Sequence, residues 1–165
     1  MSLYAEEKLI SQARRLAADY RRTMGRPLPG ISSEIAVHDA IRLLGLKPAG
    51  GGEGGIDAFD PERDGRRLQI KSRTIFDEGK SGQRVGQIRM EQPWDAVLLV
   101  LMDEEYEPYE IYEAEREELL EFAAKSSSSR AKRGALSVAR FKIIGRLVWT
   151  REEGVESEIW DNQAP

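Results

Sequence analysis

The chain has no cysteine and only one histidine, His38, among its 165 residues. Disulfide bonds and thiolate metal ligands are therefore excluded, and a structural zinc site, which needs several cysteine or histidine ligands, is not expected. No apolar run approaches the roughly 20 residues that span a bilayer, and the N-terminus lacks the basic-then-apolar layout of a secretory signal. These absences predict a protein without a membrane segment and favour a cytoplasmic location.

The charged residues are numerous and unevenly distributed. They make up 33% of the chain, and the formal net charge of −4 argues, taken alone, against nucleic-acid binding. Residues 103–121 carry ten acidic side chains and one basic side chain, however, whereas residues 126–151 carry seven basic side chains and no acid. Such a chain can present a positive surface while being acidic overall, although two ordinary solvated faces would give the same pattern.

Hydrophobic periodicity predicts a single α/β domain over residues 1–165, with no linker long enough to separate two domains. Residues 1–30 would form an N-terminal helix and linker, 31–125 the core, and 126–165 a basic C-terminal helix and tail. Helices are predicted over 3–24, from Ser32 or Ser33 to about Leu44, over 116–125, and from Ser137 through Val148. Strands are predicted in a hairpin within 54–73, which turns at Asp64-Gly65, in the central buried run 94–102, and over 108–114. Polar loops, the first with a short helix, are predicted over 76–92 and 126–129.

The hairpin "GGIDAFDPERDGRRLQIKSR", residues 54–73, carries polar groups inside otherwise apolar strands. Because side chains alternate across a strand, Gln69 and Lys71 share one face. The predicted turn brings Asp57 of the first strand across from them. We therefore expect a carboxylate, an amide and an ammonium to converge on this hairpin.

These groups suit metal-assisted hydrolysis of phosphodiester bonds. Mg²⁺, or Mn²⁺ in its place, takes hard oxygen ligands and keeps several waters, so one or two carboxylates are enough. Asp57 would be the principal ligand, with the Gln69 side-chain oxygen and the Ile70 backbone carbonyl as further ligands. Lys71 would hold or deprotonate the attacking water and offset charge on the phosphate. Glu34, near the start of the second predicted helix, would add a carboxylate.

The order of these residues resembles that of the PD-(D/E)XK nuclease superfamily: Glu34 in a helix, then Asp57, then Gln69-Ile70-Lys71 after a turn. The resemblance implies a restriction-endonuclease-like fold, with an αβββα core over residues 31–125 and a mixed central sheet flanked by helices. It also implies a magnesium-dependent endonuclease acting on DNA, with Glu34, Asp57, Gln69 and Lys71 as catalytic residues. The chain departs from the family pattern at two places: glycine and isoleucine precede Asp57 in place of the proline, and Gln69 replaces the second acid.

Basic residues that follow the hairpin in sequence are candidate contacts to the DNA backbone. An ordinary surface loop or a solvated helix face is the alternative for each group. The candidates directly after the hairpin are Arg73, Lys80, Arg84 and Arg89, and those farther along the chain are Arg130, Lys132, Arg133, Arg140, Lys142 and Arg146.

Other interpretations of the hairpin and its helix stay open. The three polar groups could be the solvated side of a half-exposed hairpin, or the chain could be a catalytically inactive nucleic-acid-binding module of the same fold that uses its basic C-terminal half. Glu53 or Asp60 could serve as a metal ligand in place of Asp57, although neither has its strand position. His38 lies one helical turn after Glu34 and could orient it or contact a phosphate, but a local structural role fits a lone histidine better.

Two further classes of partner are considered. The stretch "GLKPAGGGEGGID" lacks the lysine-serine/threonine ending of a phosphate-binding loop and precedes a strand, so we expect no nucleotide cofactor. Cleavage of both strands of a duplex would favour a two-fold homodimer, although no sequence feature marks the interface.

Overall fold

The computed structural model describes residues 2–50, 54–76, 83–126 and 135–156, and these form a mixed α/β fold around one seven-stranded sheet. The strands lie in chain order. Neighbouring strands are antiparallel except for the third and fourth, which are parallel, so the sheet is mixed as predicted. The strands are β1 (Lys47–Pro48), β2 (Ala58–Asp60), β3 (Arg66–Thr74), β4 (Ala96–Met102), β5 (Pro108–Glu115), β6 (Arg146–Thr150) and β7 (Gly154–Val155).

Helices cover both faces of this sheet. The α-helices of the described residues are α1 (Leu3–Met24), α2 (Ile31–Leu44), α3 (Arg116–Lys125) and α4 (Val138–Ile144). The central strand β4 is buried along its whole length and alternates between two cores. Val100 packs with Ile35 of α2 on one face, and Leu99 packs with Leu119 of α3 and Phe141 of α4 on the other. None of these four helices is both long and apolar enough to cross a membrane.

Most of the elements predicted for the core are present. The first helix, the central strand, the strand that follows it and the helix after that are confirmed within one or two residues. The hairpin turn at Asp64-Gly65 is also confirmed, with both residues at positive φ and a short 3₁₀ turn, Pro61–Arg63, before them. The second helix begins at Ile31, earlier than predicted, after Gly30 in the left-handed conformation. The restriction-endonuclease-like identity of the core stays a prediction.

The C-terminal helix is shorter than predicted, and this prediction was wrong beyond Ile144. The chain turns at Gly145, where an added Cβ would lie only 2.6 Å from the carbonyl oxygen of Glu113 in β5. Residues 146–150 then pair with β5 as strand β6. The apolar spacing from Val138 to Val148 fits one helix face, but it also fits a short helix followed by a strand, and periodicity does not distinguish them. The short strands β1 and β7 were not predicted.

Two predicted loops fall partly outside the described residues. Within 83–92 the described chain forms no helix, so the short helix predicted for this loop is absent from that part. Residues 77–82 and 127–134 lie outside the description, and with them most of the serine-rich loop and the candidate residues Lys80, Arg130, Lys132 and Arg133. Glu53 also lies outside it.

Candidate active site

Asp57 lies immediately before β2, where pairing with β3 begins. The register pairs Ala58 with Leu68, and the Asp57 amide donates to the Leu68 carbonyl at 2.8 Å. The side chain turns onto β3, where Oδ2 accepts a hydrogen bond from the Ile70 amide at 2.8 Å. Ile70 separates Gln69 from Lys71 in β3, so the structure brings the Asp57 carboxylate to the predicted segment.

The backbone carbonyl of Ile70 faces the same edge of β3 as its amide. The N–H and C=O of a strand residue point to one side, because hydrogen-bonded pairs exchange both groups. In the described residues β2 starts only at Ala58, opposite Leu68, so no β2 ladder partner lies opposite Ile70. No ladder partner in the described strands therefore occupies this carbonyl oxygen, which lies on the edge of β3 that Asp57 contacts.

Gln69 is buried, although glutamine is usually exposed. Only 6% of its surface is accessible, and its Nε2 donates to the Gly55 carbonyl at 3.1 Å and to Gln92 Oε1 at 3.0 Å. A carbonyl only accepts hydrogen bonds, so the atom that faces Gly55 must be the NH₂ group. The interpretation in which Gln69 belongs to a solvated face is therefore wrong.

The Gln69 Oε1 atom points away from both acceptors and is left unpaired. It is buried and has no hydrogen-bond partner among the described residues. An unpaired buried acceptor costs about 1–3 kcal/mol, which a bound cation or ligand donor would recover. The donor set of Asp57 Oδ1, Gln69 Oε1 and the Ile70 carbonyl consists of hard oxygens, which is what Mg²⁺ or Mn²⁺ requires. The residues present therefore fit such an ion.

Lys71 is half-buried and shares its strand face with Gln69 and Arg73. Burial lowers the pKa of its ammonium, the neighbouring Arg73 and Arg89 guanidinium groups lower it further, and the Asp57 carboxylate partly opposes them. Among the described residues, no carboxylate lies within ion-pair distance of Lys71 Nζ. An ammonium without a counter-ion is available to a bound water or anion.

The pKa of Asp57 is raised above its ordinary value. Burial is the main cause and the nearby Glu34 carboxylate adds to it, whereas the hydrogen bond from Ile70 and the Lys71 ammonium oppose the shift. The site therefore holds an acid and a base whose charged forms are both disfavoured by burial. Perturbed pairs of this kind are frequent at functional sites.

Glu34 approaches this site without entering it. It lies exposed in the first turn of α2, and α2 packs on the face of β3 opposite to Gln69 and Lys71. Its link to Asp57 is electrostatic. Among the described residues, the side chains of Glu34 and His38 form no hydrogen bond with each other, so no direct contact supports the suggestion that His38 orients Glu34.

No three Asp, Glu or His side chains within the described ranges cluster closely enough to hold a metal ion. An amide occupies the place of the second acid, so the candidate site contains only one close carboxylate. Asp60, the alternative ligand, instead accepts from the Glu62 amide and pairs with Arg63 at 2.6 Å. Asp57 is thus the acid that the geometry favours.

Part of the basic surface predicted for DNA lies beside Lys71. The Arg73 guanidinium donates to the Arg84 carbonyl and to the Ser72 carbonyl, and Arg89 is close enough to lower the pKa of Lys71. The loop passes over these cations at Gly86, where an added Cβ would lie 3.9 Å from Lys71 Nζ. These three arginines therefore belong to the same neighbourhood as the candidate site.

The described basic candidates of the C-terminal part, Arg140, Lys142 and Arg146, lie next to β5 and α3. Lys142 pairs with Glu110 at 3.5 Å and Arg146 lies 3.7 Å from Glu113, so acidic groups of β5 offset both charges. The Arg140 guanidinium lies 5.7 Å from the centre of the Phe122 ring. Of the three, Arg140 forms no ion pair with any described residue.

Sequence reasoning missed the residues that hold Gln69. Gln92 lies 23 residues beyond Gln69, in a loop without a recognisable pattern. Arg116, at the start of α3, donates to the carbonyls of Gln92 at 2.7 Å and Trp94 at 2.9 Å. No spacing in the sequence indicates such a long-range contact. The one signal in the sequence is that Gln92 is a polar residue, with no other evident role, just before the apolar run.

A stability measurement tests the raised pKa of Asp57. A carboxyl whose pKa is raised by folding stabilises the native state below its unfolded pKa, and this contribution is lost as the pH rises through the folded pKa. At pH 7 the ionised Asp57 therefore opposes folding, and we expect Asp57→Asn to melt at an equal or higher temperature than the wild type. The advantage should shrink as the pH falls through the raised pKa; a lower melting temperature for the variant at pH 7 would contradict this.

The chain matches no family model, and no curated protein shows significant sequence similarity to it. The resemblance to the PD-(D/E)XK nucleases therefore depends on the residues of the hairpin and on Glu34 alone.

Proposed function

We propose that the chain is a metal-dependent endonuclease that hydrolyses phosphodiester bonds in DNA, of the PD-(D/E)XK type that its residues resemble. The observation that supports this most is the buried, unpaired Oε1 of Gln69, together with the Asp57 carboxylate, which accepts a hydrogen bond from the next residue of the same strand, Ile70. Buried acceptors in folded proteins nearly always have a hydrogen-bond partner, so this one needs an explanation. A metal site explains it, because a bound ion would supply the missing contact to Oε1.

Asp57, Gln69 and the Ile70 carbonyl would hold Mg²⁺ or Mn²⁺, with Glu34 as a more distant carboxylate. The ion, when bound, would lower the pKa of a water and neutralise negative charge on the phosphate. Lys71 would hold the attacking water through Nζ. Because burial and its cationic neighbours lower the pKa of Lys71, its neutral form is more accessible than that of an ordinary lysine, and this form accepts the proton of the water.

The arginines around Lys71 would bind the DNA backbone. Arg73, Arg84 and Arg89 are the described candidates near the site, and Arg140 is the described C-terminal candidate without an ion pair. Contacts of this kind position the phosphates and carry no sequence information. The choice of DNA over RNA comes from the family resemblance, and cleavage of a duplex would favour a homodimer.

Asp57→Asn tests this function directly. We expect calorimetric titration with Mn²⁺ to show at least about a tenfold loss of affinity, since even residues that only orient metal ligands contribute 10–100-fold. Plasmid nicking in Mg²⁺ should be lost as well. Because this substitution is not expected to destabilise the fold at pH 7, unfolding would not explain the loss.

Asp64→Asn is the matched control. Asp64 lies exposed in the turn of the same hairpin at a φ of 55°, a conformation that asparagine adopts readily. It should bind Mn²⁺ and nick plasmid like the wild type. Unchanged metal affinity and nicking in Asp57→Asn would refute the proposed function.

A second candidate is a nucleic-acid-binding module without catalysis. The neutral Gln69 favours it, and so does the grouping of Lys71 with Arg73 and Arg89, whose guanidinium groups are close enough to lower the pKa of Lys71. In that case DNA binding would weaken steeply with salt and would be unaffected by Mg²⁺ or by Asp57→Asn.

A further inference from the structure

We propose that Gln92 is a positioning residue that fixes the orientation of the Gln69 carboxamide, so that Oε1 rather than Nε2 is presented to the metal. The proposal rests on the proposed function for the identity of the ligand. The contact itself does not depend on that function.

An amide ligand has an orientation problem that a carboxylate does not have. Both ends of a carboxylate are acceptors, whereas an amide has one oxygen and one NH₂ group, and the NH₂ group repels a cation. Gln69 stands where the nucleases that the chain resembles have an acid. The substitution therefore requires neighbours that hold the NH₂ group on the far side.

Two neighbours meet this requirement. The Nε2 atom of Gln69 has two protons, and these are donated to the Gly55 carbonyl at 3.1 Å and to Gln92 Oε1 at 3.0 Å. Gly55 accepts through its backbone carbonyl. Among the described residues, Gln92 is therefore the only one whose side chain orients the Gln69 amide.

The packing around these amides is close. An added Cβ at Gly55 would lie 2.3 Å from Gln92 Oε1 and 2.6 Å from Gln69 Nε2, and Gly55 has a φ of +79°. A side chain at this position would have to displace the two amides, and it would have to adopt the left-handed conformation that favours glycine. The two side-chain amides are thereby held against the backbone in one arrangement.

Gln92 is itself fixed by its surroundings. The Arg116 guanidinium donates to the backbone carbonyl of Gln92 at 2.7 Å, and the backbone N–H of Gln92 donates to the Arg89 carbonyl at 3.2 Å. The guanidinium of Arg116 also lies 4.6 Å from the centre of the Trp94 ring, which is fully buried. The loop thus presents the Gln92 side chain from a rigid base, as an orienting residue requires.

The experiment is a double-mutant cycle that measures Mn²⁺ affinity by calorimetry. In the wild-type background, Gln92→Leu removes the acceptor and should weaken Mn²⁺ binding about three- to tenfold, the effect of one hydrogen bond. Gln92→Glu keeps an acceptor and should preserve the affinity. In the Gln69→Glu background both carboxylate oxygens bind metal in either orientation, so Gln92→Leu should have no effect. An equal loss in both backgrounds would mean that Gln92 only supports the fold, and would overturn the proposal.

The side-chain amide resonances of Gln69, observed by NMR without metal, separate this proposal from the proposed function. If the wild type binds no Mn²⁺, the proposed function fails, whereas the orientation of Gln69 is still tested. We expect the two Gln69 NH₂ protons to be protected from exchange in the wild type and in Gln92→Glu, and to lose protection in Gln92→Leu. Equal protection of these protons from exchange in all three proteins would overturn the role of Gln92.

Discussion

Lys71→Met is expected to lower plasmid nicking by about 10²–10⁴-fold, the usual contribution of a general acid or base. Metal affinity should be unchanged or higher, because the substitution removes a positive charge that interacts with Asp57. The fold should tolerate the change. An amine whose pKa is lowered by folding opposes folding while it is charged, and methionine fills similar space without that charge.

Two further lysine variants make this result specific. Lys47→Met changes an exposed lysine of β1 and should nick DNA like the wild type. Lys71→Arg keeps the positive charge but cannot release a proton at neutral pH. Full activity in Lys71→Arg would show that Lys71 neutralises charge rather than accepting the proton, and unchanged activity in Lys71→Met would remove it from the reaction.

Local rules predict the part of the site that lies within the hairpin. Strand alternation and the Asp64-Gly65 turn suffice to bring Asp57 to the segment from Gln69 to Lys71, since its hydrogen bond to Ile70 spans only 13 residues. The same rules also indicate a solvated face for Gln69. That expectation fails because the loop that carries Gln92 covers this face, and the course of the loop is set by Arg116.

Long-range contacts decide what the sequence does not reveal. Residues 146–150 form a strand because they pair with the edge of β5. Arg146 therefore lies beside Glu113 instead of on the surface of a helix. Similarly, a glutamate four residues before a histidine suggests a pair, but the position of α2 under the sheet leaves Glu34 exposed at its first turn. Periodicity identifies apolar faces and does not identify which neighbour covers them.

The candidate site weakens the fold at three points. Asp57 and Lys71 are both held in surroundings that disfavour their charges, and Gln69 has an unpaired oxygen. On the other face of the sheet, Arg14 of α1 reaches Asp39 of α2, whose side chain is completely buried.

Arg14 connects α1 to the rest of the molecule. Only two residues of α1, Ala17 and Ala18, are buried in the described structure. This is little buried apolar surface for a helix of 22 residues. Arg14 donates two hydrogen bonds to the Asp39 carboxylate, at 2.9 and 2.8 Å, and a third to the Tyr106 carbonyl at 2.6 Å. Tyr106 has a positive φ of 61°, an uncommon conformation for an aromatic residue, and this hydrogen bond helps to hold it.

Arg14→Met should therefore lower the free energy of unfolding by about 3–5 kcal/mol, because it leaves the Asp39 carboxylate buried without its partner. Within the part of the chain that the structure describes, only Arg42, at 3.8 Å, would remain within ion-pair distance of Asp39. Arg14→Met combined with Asp39→Leu should be less destabilised than Arg14→Met alone, since the unpaired charge is then removed. Urea unfolding measures both, with the exposed neighbour Arg15→Met as the control that should stay within about 0.5 kcal/mol of the wild type. A cost below about 1 kcal/mol for Arg14→Met would mean that Arg42 or water satisfies Asp39, and that α1 is held by its apolar contacts instead.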